Sequence, residues 1–456
     1  MVIQLTNSAK NHQLTNAQIW SADSSFIFFD TRDSQAYFTG KEIGYINIAS
    51  RTEETLYTSA NGSHVGVVTC SPVNNIIVFI QGPEFPDSTW QYELCYRRGV
   101  LLTYTANPVN KNSLSFQASE CSSPQLQITS ITNLDGFCEY SPYIPGVLHG
   151  GSHVHMFCAD GSMISFTYDD YLLNKSNSPL AKRNVAIAFP SDQISFKPLH
   201  PRQYVGTYYC SLVSSTAAIA AFGTDEIEKA YEECWIGVDG YIKSDGTHQK
   251  KAIAFVGDVR DSSGHLYSEI FVVDLPDNRD AWETACNFDA LGITPFYPES
   301  TAYELRKPTA KLVQRRLTYT QEYKGIYQKT RHWLRSSPCG QYIAFLMQDQ
   351  SSVTQLWLVH TASGNLTQLT YLSHSVDSAF TWHPQGEYIG FISQQSIYVC
   401  HVVSKKSSPL TEPLSPEPNP EACVFSPCGK WIAFTRDIPM NEVRYRQVFI
   451  TDFLAN

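Results

Sequence analysis

A short pattern recurs along this chain: a tight turn followed by an apolar strand that ends in phenylalanine. Clear copies run from Ser337 to Phe345, from His383 to Phe391 and from Ser426 to Phe434. Weaker copies end at Phe29, Phe79, Phe166 and Phe255. Successive phenylalanines are 50, 87, 89, 90, 46 and 43 residues apart. Repeats of about 40 to 50 residues built from short strands are typical of β-propeller blades.

The spacings of 87, 89 and 90 residues allow two interpretations: each contains one blade with an insertion, or each contains two blades. Two each would give about ten blades, more than the usual four to eight. We therefore predict an all-β fold, a seven-bladed β-propeller with small helical insertions, and eight blades is the alternative count. The insertions are expected at Thr224–Cys234, with Thr224 as N-cap, and at Asp280–Leu291.

The chain ends suggest how the ring closes. Leu-Thr pairs close several units, but Leu14-Thr15 has no blade before it. The C-terminal strand Val448–Asp452 could complete that first blade and remove the free sheet edges. We therefore predict that residues 1–456 form a single β-propeller domain whose N- and C-terminal strands share a blade.

Composition and motifs exclude several classes of protein. The net charge is −10 and no basic stripe is present, which argues against a nucleic-acid partner. No run of 18 apolar residues exists, so no membrane span is expected. The sequence contains neither a P-loop nor a Gly-x-Gly-x-x-Gly motif, so no nucleotide cofactor is expected. It also lacks Gly-x-Ser-x-Gly, which argues against a fused α/β-hydrolase.

The polar N-terminus and the singly scattered cysteines, 12 in number, favour the cytoplasm. A periplasmic or secreted location applies if the chain is a piece of a longer protein.

The repeat also predicts where polar side chains converge. The strand before each turn should be innermost, and the strand after it should return to the same rim. The residues that start the first strand or end the second are then expected at one end of the central channel: His64, Gln81, His153, His155, Tyr168, His332 and Arg436. Propellers place their binding and active sites at such channel ends.

Two sets of residues are candidates for a metal site. His153 and His155 are two apart on a strand and should face the same side, so they could hold one ion. His200 and Cys210 could supply two zinc ligands, with His332 or His155 completing the set. The alternatives are hydrogen-bonded imidazoles at a strand start, a turn-capping His200 and a buried Cys210. Zinc, manganese and calcium all stay open as the divalent ion.

Several strings resemble the bacterial YidR-like family over nearly the whole chain. They are Gly62-Ser-His-Val-Gly-Val-Val68, Gly150-Gly-Ser-His-Val-His155 through Asp170, Asp225–Glu233, Thr330-Arg-His-Trp-Leu334 and Phe380-Thr-Trp-His-Pro384. The wider and more distantly similar group includes TolB-like propellers, oligogalacturonate lyase and seven-bladed ulvan lyases. The resemblance implies a propeller and, as its favoured activity, a polysaccharide lyase.

Such lyases cleave uronate-containing chains by β-elimination, in which a base removes the proton next to a carboxyl group that a cation neutralises. The resemblance implies that His64, Tyr168 and Arg183 are catalytic, with Tyr168 as acid/base. Gln81, His153 and Arg436 would bind the substrate, an acidic oligosaccharide or polysaccharide. The resemblance places the second lyase histidine at Gln81, which cannot transfer a proton, and a structural zinc near His200 and Cys210. The alternative function is a non-catalytic TolB-like propeller that binds a protein or a glycan.

Overall fold

A computed structural model describes residues 1–34, 37–107, 125–137, 144, 146–192, 194, 196–277, 312–323, 325–326 and 332–454. Its strands form an all-β, seven-bladed propeller. Consecutive strands of each blade pair in antiparallel fashion, so each blade is a meander that runs from the centre of the ring outward.

The strands fall into the blades in chain order. The chain begins with β1 (Val2–Gln4); blade 1 contains β2 (Phe26–Asp30), β3 (Glu42–Asn47) and β4 (Thr52–Thr58). Blade 2 contains β5 (Val65–Cys70), β6 (Ile76–Gln81), β7 (Arg98–Asn107) and β8 (Gln125–Asn133). Blade 3 contains β9 (Gly150–Phe157), β10 (Ile164–Asp170), β11 (Asn184–Pro190) and β12 (Tyr208–Leu212). Blade 4 contains β13 (Ala230–Trp235), β16 (Ala252–Arg260), β17 (Leu266–Asp274) and β18 (Gln314–Arg316), with a hairpin of β14 (Tyr241–Ile242) and β15 (His248–Gln249).

Three further blades complete the ring. Blade 5 contains β19 (Arg335–Ser336), β20 (Tyr342–Gln348), β21 (Thr354–His360) and β22 (Leu366–Gln368). Blade 6 contains β23 (Thr381–Trp382), β24 (Tyr388–Ser393), β25 (Ser396–His401) and β26 (Ser407–Pro409). Blade 7 contains β27 (Pro418–Phe425), β28 (Trp431–Met440) and β29 (Val443–Asp452). Helical structure in the described residues comprises α1 (Tyr171–Lys175) and two 3₁₀ turns, Leu94–Tyr96 and Gln321–Tyr323.

The repeated phenylalanines mark the strand that follows the innermost segment of each blade. All seven of them are 0% exposed, and they lie on β2, β6, β10, β16, β20, β24 and β28: Phe29, Phe79, Phe166, Phe255, Phe345, Phe391 and Phe434. Fully burying such a side chain stabilises the fold by about 1.5–3 kcal/mol. The repeat in the sequence is therefore the repeat of the core, and the predicted blade count is confirmed.

The two chain ends meet in blade 7. The N-terminal strand β1 pairs with β29, with Val2 opposite Thr451 and Gln4 opposite Phe449. We expected the C-terminal strand to complete the first blade. Instead, the N-terminal strand β1 is the outer strand of the last blade. Leu14-Thr15 does not close a blade either: isolated bridges join Gln13 to Asp30 and Trp20 to Ile27, which makes residues 13–20 the inner segment of blade 1.

The predicted helix at Thr224–Cys234 is wrong, and Asp280–Leu291 lies outside the described residues. Residues 224–229 are bends and irregular structure, and β13 begins at Ala230 as the inner strand of blade 4. Glu233 and Cys234 are buried there. Helix-forming residues thus adopt a strand because the ring needs an inner strand at this point, and packing overrides local propensity.

A β-bulge interrupts the inner strands of blades 2, 3 and 4. Val67, Val154 and Glu232 have φ values of 60°, 53° and 54°, in the left-handed region. The pairing register of each strand shifts at these positions. A bulge breaks the alternation of side chains along a strand, so residues two apart across it need not share a face.

Side-chain hydrogen bonds cross the central channel. Gln18 in blade 1 donates to the carbonyl of Phe157 in blade 3 at 2.7 Å and accepts from its N–H at 2.9 Å. Arg335 in blade 5 donates to the Asn16 carbonyl in blade 1 at 3.2 Å. Since these bonds join blades that are not neighbours, they cross the middle of the ring.

No helix in the described part of the chain is long and apolar enough to cross a membrane.

Candidate functional site

The connections of blades 1, 2 and 3 meet at one end of the channel. The N–H of Val65 donates to the carbonyl of Gly40 at 2.7 Å, and the N–H of Ser152 donates to the carbonyl of Arg97 at 3.0 Å. Gly151 is required here, because a Cβ atom would lie 1.8 Å from the Leu94 carbonyl oxygen. We call this region the mouth and define it by six residues: Phe38, His64, Tyr92, Arg97, Asp169 and Arg183.

Arg97 is the buried cation of the mouth. Its guanidinium carbon lies 5.3 Å from the centre of the Tyr92 ring, and the residue is only 8% exposed. Among the described residues no carboxylate lies within 4 Å of its guanidinium, because Asp169, which influences it favourably, pairs with Arg183, and its Nε atom has no hydrogen-bond partner. Burial lowers the pKa of Arg97, against the favourable influence of Tyr92 and Asp169. An arginine nevertheless stays charged in proteins, so this site attracts an anion.

Tyr92 lies between that cation and an aromatic ring. Phe38 stacks on it with ring centres 4.4 Å apart. Burial raises the pKa of Tyr92, while the positive charges of Arg97, Arg32 and Arg183 act in the opposite direction. Tyr92 is therefore protonated at neutral pH and is placed among groups that would stabilise its phenolate.

His64 is half-buried beside this pair. Its Nδ1 atom lies 3.0 Å from the carbonyl oxygen of Thr39. A carbonyl only accepts, so Nδ1 is the donor of this contact; in the neutral tautomer that this bond favours, Nε2 carries the lone pair. Gly82, whose N–H donates to the His64 carbonyl at 2.8 Å, also approaches Tyr92, because a Cβ atom on it would lie 3.1 Å from Tyr92 Cδ2.

Two ion pairs surround the mouth. Arg183 donates from Nε and Nη2 to one carboxylate oxygen of Asp169, at 3.1 and 2.8 Å. Arg32 makes a bidentate pair with Asp30 at 2.7 and 2.9 Å. Three guanidinium groups thus face two carboxylates, and the positive charge in excess belongs to Arg97.

Tyr168, the expected acid/base, lies elsewhere. It is 2% exposed and belongs to the core of blade 3. Its hydroxyl donates to the carbonyl of Leu148 and lies 3.0 Å from a carboxylate oxygen of Asp170. The strand position of Tyr168 is at the predicted rim, but its side chain points into the blade, so the placement does not fit a proton-transfer role on a substrate.

Gln81 is also part of the fold. It is 2% exposed; its side-chain oxygen accepts from the Tyr57 hydroxyl at 3.3 Å, and its amide donates to Ser63 at 3.1 Å. Both ends of the amide are therefore occupied. Gln81 is next to His64 through the pairing of β5 and β6, and it is buried with both ends of its amide hydrogen-bonded within the fold.

The two histidines of β9 do not share an environment. His155 is 0% exposed, and its Nε2 lies 2.9 Å from Ser152 Oγ. Burial lowers the pKa of His155 to about 3, so its ring is neutral. His153 is half-buried and pairs with Thr167. The bulge at Val154 separates them, which removes the reason for expecting both to point into the channel.

His332 and Arg436 belong to other blades. His332 precedes blade 5, is 0% exposed and accepts a hydrogen bond from the N–H of Leu346 at 3.2 Å. Arg436 lies on β28 in blade 7, where its Nε donates to the Pro416 carbonyl at 2.6 Å and its guanidinium lies 4.8 Å from the Phe449 ring centre. The structure shows no contact between either residue and the mouth.

His200 and Cys210 have different surroundings. His200 is exposed, and its Nδ1 accepts from the N–H of Arg202 at 3.1 Å. Cys210 is 1% exposed, and burial beside Asp135 raises the pKa of its thiol well above the usual range. A thiol that resists ionisation is a poor zinc ligand. Across the described residues, no three His, Cys, Asp or Glu side chains are arranged to hold a metal ion, so the predicted metal sets do not fit one.

The sequence prediction missed Tyr92 and Arg97 because it considered only the first two strands of each blade. Both residues lie in the connection between β6 and β7 or directly before β7. Because Gln81 pairs with Arg98, the third strand starts at the rim where the second strand ends. Extending the rule to that position would have added Arg97, and Arg183 before β11 follows the same logic.

Comparisons with known proteins identify a family and a relative of this chain. Residues 64–204, which span most of the mouth, match the model of a family described as protein of unknown function, DUF3748. Over 433 residues, 94% of each chain, the sequence is 38% identical to the uncharacterized protein YidR of Escherichia coli strain K12.

Two solved structures share the fold at low sequence identity. One is the oligogalacturonate lyase of Vibrio parahaemolyticus, with a TM-score of 0.52 and 9% identity, covering 99% of this chain and 93% of the other. The second is a puromycin hydrolase, with a TM-score of 0.51 and 10% identity, covering 98% of this chain and 52% of the other.

Proposed function

The chain belongs to the YidR family, and we propose that it is a carbohydrate-active propeller that cleaves uronate-containing oligosaccharides by β-elimination at the mouth. An oligogalacturonate lyase shares this fold, which is compatible with the proposal. The residues of the mouth carry the argument.

The supporting observation is Arg97. A buried guanidinium without a carboxylate partner costs several kcal/mol in the absence of an anion. A carboxylate on a planar group is the natural counterion, since guanidinium and carboxylate match in bidentate geometry. Each residue of a uronate chain carries one such carboxylate, next to the carbon that must lose its proton.

The neighbouring side chains suit the remaining steps. His64 Nε2 would take the proton from the carbon next to the carboxyl group, while Arg97 and Arg183 stabilise the negative charge that develops there. The electron pair of that C–H bond forms the new carbon–carbon double bond, and the bond to the leaving oxygen breaks. Tyr92, which burial keeps protonated, would donate a proton to that oxygen.

The direct test uses oligogalacturonate, ulvan and glucuronan fragments as substrates. β-Elimination gives an unsaturated uronate that absorbs in the ultraviolet, and mass spectrometry identifies it independently of absorbance. We expect product from at least one of these acidic substrates and none from neutral oligosaccharides of equal length. If none of the acidic substrates gives product, the lyase proposal fails.

One observation favours a second candidate, a propeller that binds an acidic glycan without cleaving it. The resemblance places the second histidine of the lyases at Gln81, whose buried amide is hydrogen-bonded to Tyr57 and Ser63. A glutamine cannot take its place in proton transfer. Uronate binding that depends on Arg97, together with no product from any substrate, would favour this second function.

A further inference from the structure

A second concave site lies beside the mouth, on the outer side of the segment 82–98. It is a cleft of about 490 Å³, within the usual size range of small-molecule sites. We call it the outer cleft and use six of its lining residues: Gly82, Glu84, Asp87, Trp90, Arg98 and Arg202.

Two arginines of the cleft lie against aromatic rings. The guanidinium carbon of Arg202 is 5.0 Å from the Trp90 ring centre, and that of Arg98 is 5.1 Å from the Tyr204 ring centre. Such contacts hold a guanidinium group in place while its edge stays available for hydrogen bonds.

That edge is occupied by two carboxylates of the turn 82–90. Arg98 Nη2 donates to Glu84 at 2.8 Å, and Arg202 Nη2 donates to Asp87. Glu84 and Asp87 are 34% and 50% exposed, so solvent screens both pairs. Phe85, between them, is 69% exposed. An exposed turn thus supplies two carboxylates to two fixed guanidinium groups.

We propose that the outer cleft is a second binding site for the acidic oligosaccharide, in which uronate carboxylates replace Glu84 and Asp87 on Arg98 and Arg202. This inference rests on the proposed function, because it takes the same substrate class. The turn 82–90 then acts as an internal competitor that neutralises the arginines while the cleft holds no ligand.

The cleft and the mouth share a wall, which is why one chain could reach both. Arg97 belongs to the mouth and Arg98, the next residue, to the cleft, since successive residues at the start of a strand point to opposite sides. Gly82 lines the cleft and also approaches Tyr92 in the mouth. Gly82 has no side chain, so at this residue only backbone separates the two sites.

The test measures binding of a galacturonate hexamer by isothermal titration calorimetry. The full chain carries Tyr92→Phe, so that turnover does not consume the ligand. We expect each of two substitutions, Arg202→Gln and Arg98→Gln, to lower the affinity for the hexamer about tenfold. Asp87→Asn should raise it about threefold, since it removes the competing charge. The Asn side chain keeps the oxygen that accepts from the Thr89 and Trp90 N–H groups at 2.7 and 2.9 Å.

The controls are Arg444→Gln, an exposed arginine of blade 7, and a neutral glucose hexamer as ligand. Hexamer affinity that is unchanged in Arg202→Gln, or lowered in Asp87→Asn, would overturn the cleft proposal, as would a hexamer that does not bind. If the variants shift binding as expected but the unmodified chain forms no unsaturated product, the cleft stands and the lyase function fails. If the unmodified chain forms unsaturated product but the cleft variants do not change the hexamer affinity, the lyase function stands and the cleft proposal fails.

Discussion

The guanidinium carbon of Arg97 lies 5.3 Å from the ring centre of Tyr92 at the mouth of the channel, where Arg97 is buried and Tyr92 is half-buried. The pair combines a charge without a carboxylate partner among the described residues with a phenol that burial keeps protonated. Stability alone does not favour this arrangement, because a buried unpaired charge is costly. Sites for ligands commonly carry such a cost.

Replacing Arg97 by Gln should separate binding from stability. We expect uronate affinity to fall by about 2 kcal/mol, some 30-fold, because the carboxylate loses its counterion. Stability should stay level or rise by about 1 kcal/mol, since the buried charge is gone. Calorimetric titration and thermal denaturation measure the two effects. Unchanged affinity together with a large loss of stability would assign Arg97 a purely structural role.

A pair of tyrosine variants distinguishes the mouth from the core. Tyr92→Phe should lower the rate of product formation by about 100-fold or more, because it removes a proton donor, and should leave stability nearly unchanged. Tyr168→Phe should cost about 1–2 kcal/mol of stability through the lost hydrogen bond to Leu148, with the rate retained. Initial rates and chemical denaturation test both. The opposite pattern would return the acid/base role to Tyr168.

Glu233 should make the protein less stable as pH rises. Burial raises the pKa of its carboxyl from 4.5 to about 8. Between these values the unfolded chain releases a proton that the folded chain keeps, so stability falls by at most about 1.4 kcal/mol per pH unit. Glu233→Gln should flatten that decline from about pH 5 to pH 8, measured by thermal denaturation at several pH values, whereas the exposed Glu442→Gln should not. An identical decline in Glu233→Gln and the unmodified chain would refute this.

Removing residues 1–6 should open the ring at blade 7. The deletion uncovers the edge of β29 that β1 pairs with and takes Leu5, 5% exposed, out of the shared core of blades 1 and 7. We expect a loss of about 2–5 kcal/mol and self-association through the free edge. Thermal denaturation and size-exclusion chromatography provide the measurements. A deletion variant as stable and as monomeric as the full chain would show that β1 contributes nothing to closure.

Local features of the sequence predicted the fold well. A tight turn and the apolar strand after it form from neighbouring residues, so each copy could be recognised without knowing the rest of the chain. Every phenylalanine of the pattern is fully buried on the strand that follows the innermost segment of its blade. The helix prediction at Thr224–Cys234 failed because it used local propensity alone. Propensity contains no information that blade 4 needs an inner strand at this point of the chain.

The sequence by itself predicted the number of blades and placed His64 at one rim of the channel. Only the tertiary structure decided which side chains face that rim. The bulge at Val154 breaks the alternation on which the pairing of His153 with His155 depended. Tyr168 points into its blade. Tyr92, which lies on a connection between strands that is not part of the repeated pattern, lies in the mouth and stacks on Phe38. The physical reason is that strand position follows from spacing along the chain, whereas burial, charge and side-chain direction depend on neighbouring blades that the spacing does not encode.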